Sequence, residues 1–221
     1  MASLDPRLAT TPLILIVPDI DGSGPGHWQT IWESQHSDVR RVEMGGSPTP
    51  DRLDWVSRLA AAIDAADQPV VLAAHGLGCH AVAWWAALER PAFGSKIAGA
   101  LLVAPPNLDA GIADHRMAGF GPVPKGMLPF HLAVVAGQDD PSCGYYHAQL
   151  LARFWGGECV DAGRSGHLGA DSDLGAWQEG WALMAKVAAP LRLDGGRREG
   201  AFDHAVTRTA AVGVNVVPFA R

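Results

Sequence analysis

Four short apolar runs set the rhythm of the chain: Leu13 to Val17, Val70 to Ala74, Gly99 to Ala104 and His131 to Ala136. Each is continuous rather than alternating, and rich in Val, Leu, Ile or Ala, which predicts strands covered on both faces, as in a parallel sheet. A weaker run, Val39 to Met44, reads as another strand. Between them lie segments with helical spacing. Pro50 to Ala66 carries Asp51 near its start and sets Leu53, Val56, Leu59, Ala60 and Ile63 on one stripe. Cys79 to Glu89 is rich in Ala and Trp, and Tyr145 to Trp155 places Leu150, Leu151 and Phe154 along a helix. Strands alternating with helices predict a three-layer α/β sandwich around a mostly parallel sheet. Asn107 to Pro129 has no sustained period and reads as a long irregular connection, a lid or binding loop or a merely tolerated insertion. The alternation stops after Ala188, so the expected organisation is a domain over residues 1–190 and a C-terminal tail over 191–221.

Composition narrows the partners. A chain of 221 residues fits one domain plus an appendage and can bury a core without metal or disulfide. With 48% hydrophobic and 18% charged residues, global disorder is excluded. The formal charge is −6 and no basic run exceeds Arg40-Arg41 or Arg197-Arg198, which argues against nucleic acid and anionic membrane as partners. The N-terminus lacks a basic segment followed by an apolar one, which points to a soluble, cytoplasmic protein. Cys79, Cys143 and Cys159 are odd in number and lack metal-ligand spacing, so reduced thiols are expected.

In a doubly wound sheet, chemistry gathers beyond the carboxyl ends of the strands. The residues there are Pro18-Asp-Ile-Asp-Gly-Ser-Gly-Pro-Gly-His27-Trp28, Ala74-His75-Gly76-Leu77-Gly78-Cys79, Gly137-Gln-Asp139-Asp140-Pro141 and Ser165-Gly166-His167-Leu168-Gly169. An elbow, then an acid, then a loop histidine is the chain order of the α/β-hydrolase triad. The GSGPGHWQ loop after the first strand, the AH-x-LGC elbow, the DDPSC segment and the late GHLG together resemble the small serine hydrolases of the YdeN and retinoblastoma-binding-protein-nine family, over about residues 13–188. That resemblance implies an α/β-hydrolase sandwich acting on a small acyl or ester ligand, without cofactor or metal. It implies Asp140 as triad acid and His167 as general base. The amides of Ile20 and Leu77 would form the oxyanion hole, and His27, Trp28 and His75 would line the pocket.

Two departures matter. The nucleophile position holds Gly76, which has no side chain to attack a carbonyl, and in triads that act as a unit such a loss costs about 10⁶ in turnover. Asp19 stands where the family usually has glycine; it is either a solvated turn acid or, pointing inward, a charge opposed to a developing oxyanion. Gly76 reads as natural loss or as deliberate replacement, and Asp19 favours the first. Cys79 and Ser23 are the possible substitutes, but Cys79 should face the helix–sheet packing and no base is aimed at Ser23. Asp139 competes with Asp140, which matches the family motif by directly preceding Pro141. Trp32, Trp84, Trp85, Trp155, Trp177 and Trp181 read as core, with Trp28 the exception. Two further functions stay open, a non-catalytic binding or interaction protein and a proton-transfer enzyme using Asp140 and His167. Dinucleotide binding through Gly22 and Gly24 fails because His27 holds the third glycine's place.

Overall fold

The computed structural model describes residues 11–109 and 114–188. The expected tail over 191–221 lies outside the described residues. In chain order the elements are β1 (Leu13–Val17), α1 (Trp28–Gln35), β2 (Val39–Arg41), α2 (Arg52–Asp64), β3 (Val70–His75), α3 (Leu77–Glu89), β4 (Ile97–Val103), β5 (Leu132–Ala136), α4 (Tyr145–Trp155), β6 (Glu158–Asp161) and α5 (Gln178–Ala188). The strands form one six-stranded sheet in the order β2-β1-β3-β4-β5-β6. Every pairing is parallel.

Alternate residues of each strand serve opposite cores, which is why the strand sequences are continuously apolar. Leu13, Leu15, Leu72, Leu102 and Val134 pack with Leu59, Val82, Leu151 and Trp155 from α2, α3 and α4. Ile14, Ile16, Val71, Leu101 and Val135 pack with Trp28 and Trp32 from α1 and Met184 from α5. These are the three layers expected from the alternation. The order reverses between β1 and β3: the chain leaves β1 toward β2 and leaves β3 toward β4. The loops after β1 and β3 therefore diverge and open a crevice, the place where open α/β sheets put their chemistry.

The boundaries differ instructively. β2 ends at Arg41 rather than Met44, because Pro18 has no N–H to extend the ladder beyond the bond from Val42 N to Ile16 O at 2.9 Å. Three elements were not anticipated. β6 is a polar edge strand without an apolar run. α1 begins within what reads as a glycine-rich loop, with His27 as its N-cap. α5 buries only Gly180 and Met184. The irregular connection contains a 3-10 turn, His115–Phe120, anchored by the buried Phe120 and by the Trp84 indole donating to its carbonyl at 2.7 Å. Among the described residues no helix is long and apolar enough to cross a membrane.

Candidate active site

The elbow comes first. β3 passes directly into α3 through Gly76, whose φ of 54° and ψ of −125° lie where side chains are strained. Gly78 is required for a separate reason. A Cβ there would stand 2.5 Å from the Val17 carbonyl oxygen, so only glycine lets α3 press this close to β1. The turn thus has the strand-to-helix form that presents a nucleophile, with nothing to present.

The empty place is filled from the neighbouring loop. Asp19 points inward, and a Cβ built on Gly76 would collide with its carboxylate. Asp19 Oδ1 accepts from the Leu77 amide at 2.7 Å. Of the two amides expected to form a vacant oxyanion hole, that of Leu77 is therefore committed to Asp19. Its other oxygen, Oδ2, stands 3.4 Å from His167 Nε2. Asp19 is neither a solvated turn acid nor a bystander; it lies where a nucleophilic hydroxyl would.

Asp140 and His167, on separate loops, are brought together. His167 Nδ1 lies 3.0 and 3.1 Å from the two oxygens of Asp140. Asp140 Oδ1 is also fixed by the Ser142 amide at 2.8 Å. Asp139 is aimed elsewhere: it accepts from the Gly166 amide at 2.9 Å and faces Arg164. The backbone around His167 is pinned on both sides. His75 Nε2 donates to the His167 carbonyl at 2.8 Å, a carbonyl being able only to accept, and the Trp28 indole donates to the Leu168 carbonyl at 3.0 Å. Trp28 and His75 are only 1% and 2% exposed, so both support the base from behind rather than line the pocket. His27 is buried too, its Nδ1 accepting the Gln29 amide at 3.1 Å as the cap of α1.

Charges follow from these contacts. Burial alone would lower the affinity of His167 for a proton, but hydrogen bonds to Asp140 and Asp19 outweigh it and raise its pKa to about 9. For Asp19 burial pushes upward, yet His167 and the Leu77 and Ile20 amides bring it down to about 2. At neutral pH Asp19 is therefore a carboxylate and His167 an imidazolium. Burial, which disfavours their charged forms, lowers His27 to about 3 and lowers His75 as well, so both are neutral.

Neither alternative nucleophile is poised. Cys79 is fully buried, its thiol donates to the Val103 carbonyl at 3.3 Å, and burial raises its pKa. The Ser23 hydroxyl is spent on Gln29. Ligand atoms of Asp19, His75 and His167 lie within 4.8 Å of one another. Each is already engaged, however: His75 Nε2 with the His167 carbonyl, Asp19 Oδ1 with an amide, His167 with two carboxylates. A cavity of about 360 Å³ opens beside the first loop, lined in part by Asp19, Ile20, Arg41, Met44 and Trp55. One structural residue escaped the sequence reading. Gln29, fully buried, uses its amide nitrogen to bridge the carbonyls of Val17 at 3.2 Å and Ala73 at 3.0 Å, clamping the diverging ends of β1 and β3. Its place in the GHWQ motif was the only signal.

A parallel sheet with helices on both faces, a strand-to-helix elbow at the switch point, and an acid and histidine on later loops define the α/β-hydrolase class. The profile of the serine hydrolase family matches residues 14–186, and the chain belongs to that family. Among solved structures it is similar to a YdeN-like hydrolase from Pectobacterium atrosepticum, at 26% identity and a TM-score of 0.70 over 82% of this chain and 95% of that one. The ydeN gene product of B. subtilis shares the fold at 20% identity, with a TM-score of 0.60 over 80% and 98% of the two chains. Est1E from Butyrivibrio proteoclasticus, solved with ferulic acid bound, shares it at 14% identity and a TM-score of 0.58 over 82% and 89%. No curated protein sequence matches the chain.

Proposed function

We propose that this chain is a serine-hydrolase-family protein whose serine chemistry has been lost, with a small-molecule site rebuilt around Asp19, His167 and Asp140. One observation carries the reading: the Asp19 carboxylate fills the volume that any side chain at Gly76 would need, while holding the Leu77 amide. An ester carbonyl entering such a site meets no hydroxyl and no free amide pair, and a carboxylate there repels the developing oxyanion. The departures at 19 and 76 complement each other in space, which supports natural loss over a deliberate exchange of one residue. The adjoining cavity is of the size that takes a small organic ligand, and the acyl or ester ligand of the resemblance is retained only as a binding partner.

The test is covalent labelling together with ester turnover. A fluorophosphonate probe should leave the protein unlabelled, and short-chain aryl esters should not turn over. Gly76→Ser alone should stay inactive because the displaced Asp19 carboxylate remains beside the elbow and opposes a developing oxyanion, whereas the Asp19→Gly/Gly76→Ser pair should gain esterase activity that His167→Ala removes. Stoichiometric labelling of any serine or cysteine in the unaltered chain would overturn the reading.

A further inference from the structure

We propose that Asp19, His167 and His75 form a binding site for a divalent first-row transition ion, Zn²⁺ foremost, held by one carboxylate oxygen and two imidazole nitrogens. The inference rests on the reading that Asp19 has taken the nucleophile's place, and extends it from what the site has lost to what it can hold.

Each of the three side chains has two atoms able to ligate, and the fold ties one of them to an outer partner. Asp19 Oδ1 accepts from the Leu77 amide at 2.7 Å, while Oδ2 stands 3.4 Å from His167 Nε2. His167 Nδ1 lies 3.0 Å from Asp140 Oδ2, which keeps a proton on that nitrogen and leaves the lone pair of the neutral ring on Nε2. His75 Nε2 donates to the His167 carbonyl at 2.8 Å, so the lone pair of its ring is on Nδ1. That Nδ1 is buried and has no hydrogen-bond partner among the described residues. An ion supplies the partner it lacks. Metal sites build the same outer shell: a carboxylate or a backbone carbonyl takes one ring nitrogen of each ligating histidine and so fixes tautomer and orientation. Asp140 and the His167 carbonyl play that part here.

Spacing favours an ion between Asp19 and His167 over direct contact. A charge-assisted N–H···O bond closes to about 2.7–2.9 Å. The 3.4 Å between His167 Nε2 and Asp19 Oδ2 exceeds that. Two ligand atoms at about 2.0–2.1 Å from a tetrahedral ion stand roughly 3.3 Å apart, close to the separation observed. Ligand atoms of all three residues lie within 4.8 Å of one another, so His75 has to draw in by up to about 1.5 Å to reach the same spacing. Gly76 makes the arrangement possible, because any side chain there would collide with the Asp19 carboxylate.

The donor set selects the metal. Imidazole suits zinc, nickel, copper and iron, whereas magnesium and calcium take oxygen ligands. Cys79 adds no thiolate, since its sulfur is turned to the Val103 carbonyl. On binding, the ion replaces the proton on His167 Nε2, which leaves to solvent, and no electron is transferred. Three protein ligands leave a tetrahedral ion one position for water or for a small oxygen-donor ligand. Asp19 also lines the cavity of about 360 Å³ beside the first loop, which gives such a ligand room next to the carboxylate.

The full chain, stripped with a chelator and dialysed, is titrated with ZnCl₂ by calorimetry and with CoCl₂ by visible absorption. One Zn²⁺ per chain should bind, and Co²⁺ should give the intense visible bands of a tetrahedral site rather than the weak bands of the hydrated ion. Asp140→Asn, acting through the His167 ring, should weaken binding by about 10–100-fold, and Asp19→Asn and His75→Gln should each weaken it further. His115→Gln, at an exposed histidine, should change nothing. Histidine-resolved NMR of the unaltered protein needs no variant to fold: Zn²⁺ should shift the ring signals of His75 and His167 and leave that of His80, held on the Pro106 carbonyl, in place. No stoichiometric binding by the unaltered protein would overturn the inference. So would an adventitious ion only, seen as binding that Asp19→Asn keeps and His115→Gln loses, or as shifts confined to other histidines. The loss of serine chemistry is judged separately: an unreactive fluorophosphonate probe leaves it standing where no ion binds, and a labelled serine overturns it whether or not one does.

Discussion

Between the loops that follow β5 and β6 and those that follow β1 and β3, the site changes character. The first pair carries Asp140 hydrogen-bonded to His167, with the carboxylate oriented by the Ser142 amide and the histidine backbone held by His75 and Trp28. The second pair has the elbow's backbone, but no side chain at Gly76 and a carboxylate at Asp19 that takes the Leu77 amide. Asp140 and His167 are each tied to a further group, so changing one would strand a partner. Gly76 and Asp19 instead share one volume, so a change at either is felt directly at the other.

The largest effect expected from this contrast is at Gly76. A serine there adopts a φ near +54° and also evicts Asp19 from the Leu77 amide and from His167. Strain of roughly 1–3 kcal/mol adds to the loss of charged hydrogen bonds, so Gly76→Ser should cost about 3 kcal/mol or more. Asp19→Gly removes the collision, and in its background the serine should cost only the backbone strain. Urea unfolding of the two single variants, the double variant and the parent measures the coupling. Strictly additive costs would break the claim that the two positions share one volume.

The charged pair of Asp19 and His167 gives the next effect. His167 is raised from near 6.5 to about 9, so its contribution to stability is complete below 6.5 and is lost as pH rises through about 9; it amounts to roughly 3 kcal/mol. Asp19 is lowered from 3.8 to about 2, so its contribution is complete above 3.8 and is lost as pH falls through about 2. Both describe one coupled interaction and are not summed. Stability should be greatest between about 4 and 6.5 and decline toward 9. Asp19→Asn should lower the His167 midpoint and flatten that decline, while Asp140 still holds Nδ1. Histidine-resolved NMR titration and unfolding at several pH values measure both, and an unchanged midpoint in Asp19→Asn would remove Asp19 from the pair.

The sheet and its central strands were legible because double-sided burial writes itself as runs such as Leu13 to Val17, whose residues are all buried. β6 was not, since an edge strand with exposed Glu158 and Asp161 carries no such run. α1 was hidden because its cap is the imidazole of His27, and the glycines before it read as a continuing loop. Asp140 and His167 were readable from motif and order. The inward turn of Asp19 was not, because its direction depends on the space Gly76 leaves on another strand, a relation between residues far apart in sequence. The assignment of Trp28 to the pocket erred similarly: adjacency to His27 suggested the site, but helical direction turns the indole into the core against Trp32 and Trp177.

That indole allows the smallest test. Trp28 joins the segment after β1 to the histidine loop through one hydrogen bond, Nε1 to the Leu168 carbonyl at 3.0 Å, next to His167. Leu168 has a positive φ of 54° and is fully buried, so its carbonyl has no water to turn to if the donor is removed. Trp28→Phe keeps an aromatic ring against Trp32 and Trp177 while deleting the N–H. The expected cost is about 1–2 kcal/mol, less than for Gly76→Ser because no backbone strain or charge is involved. If the bond also positions the base, hydrogen exchange at the amides of residues 166–169 should accelerate in Trp28→Phe and the His167 midpoint should fall as the ring's contact with Asp140 loosens. A loss of stability with both readouts unchanged would make Trp28 a packing residue alone, and the two halves of the site would then be joined only through Asp19 and His167.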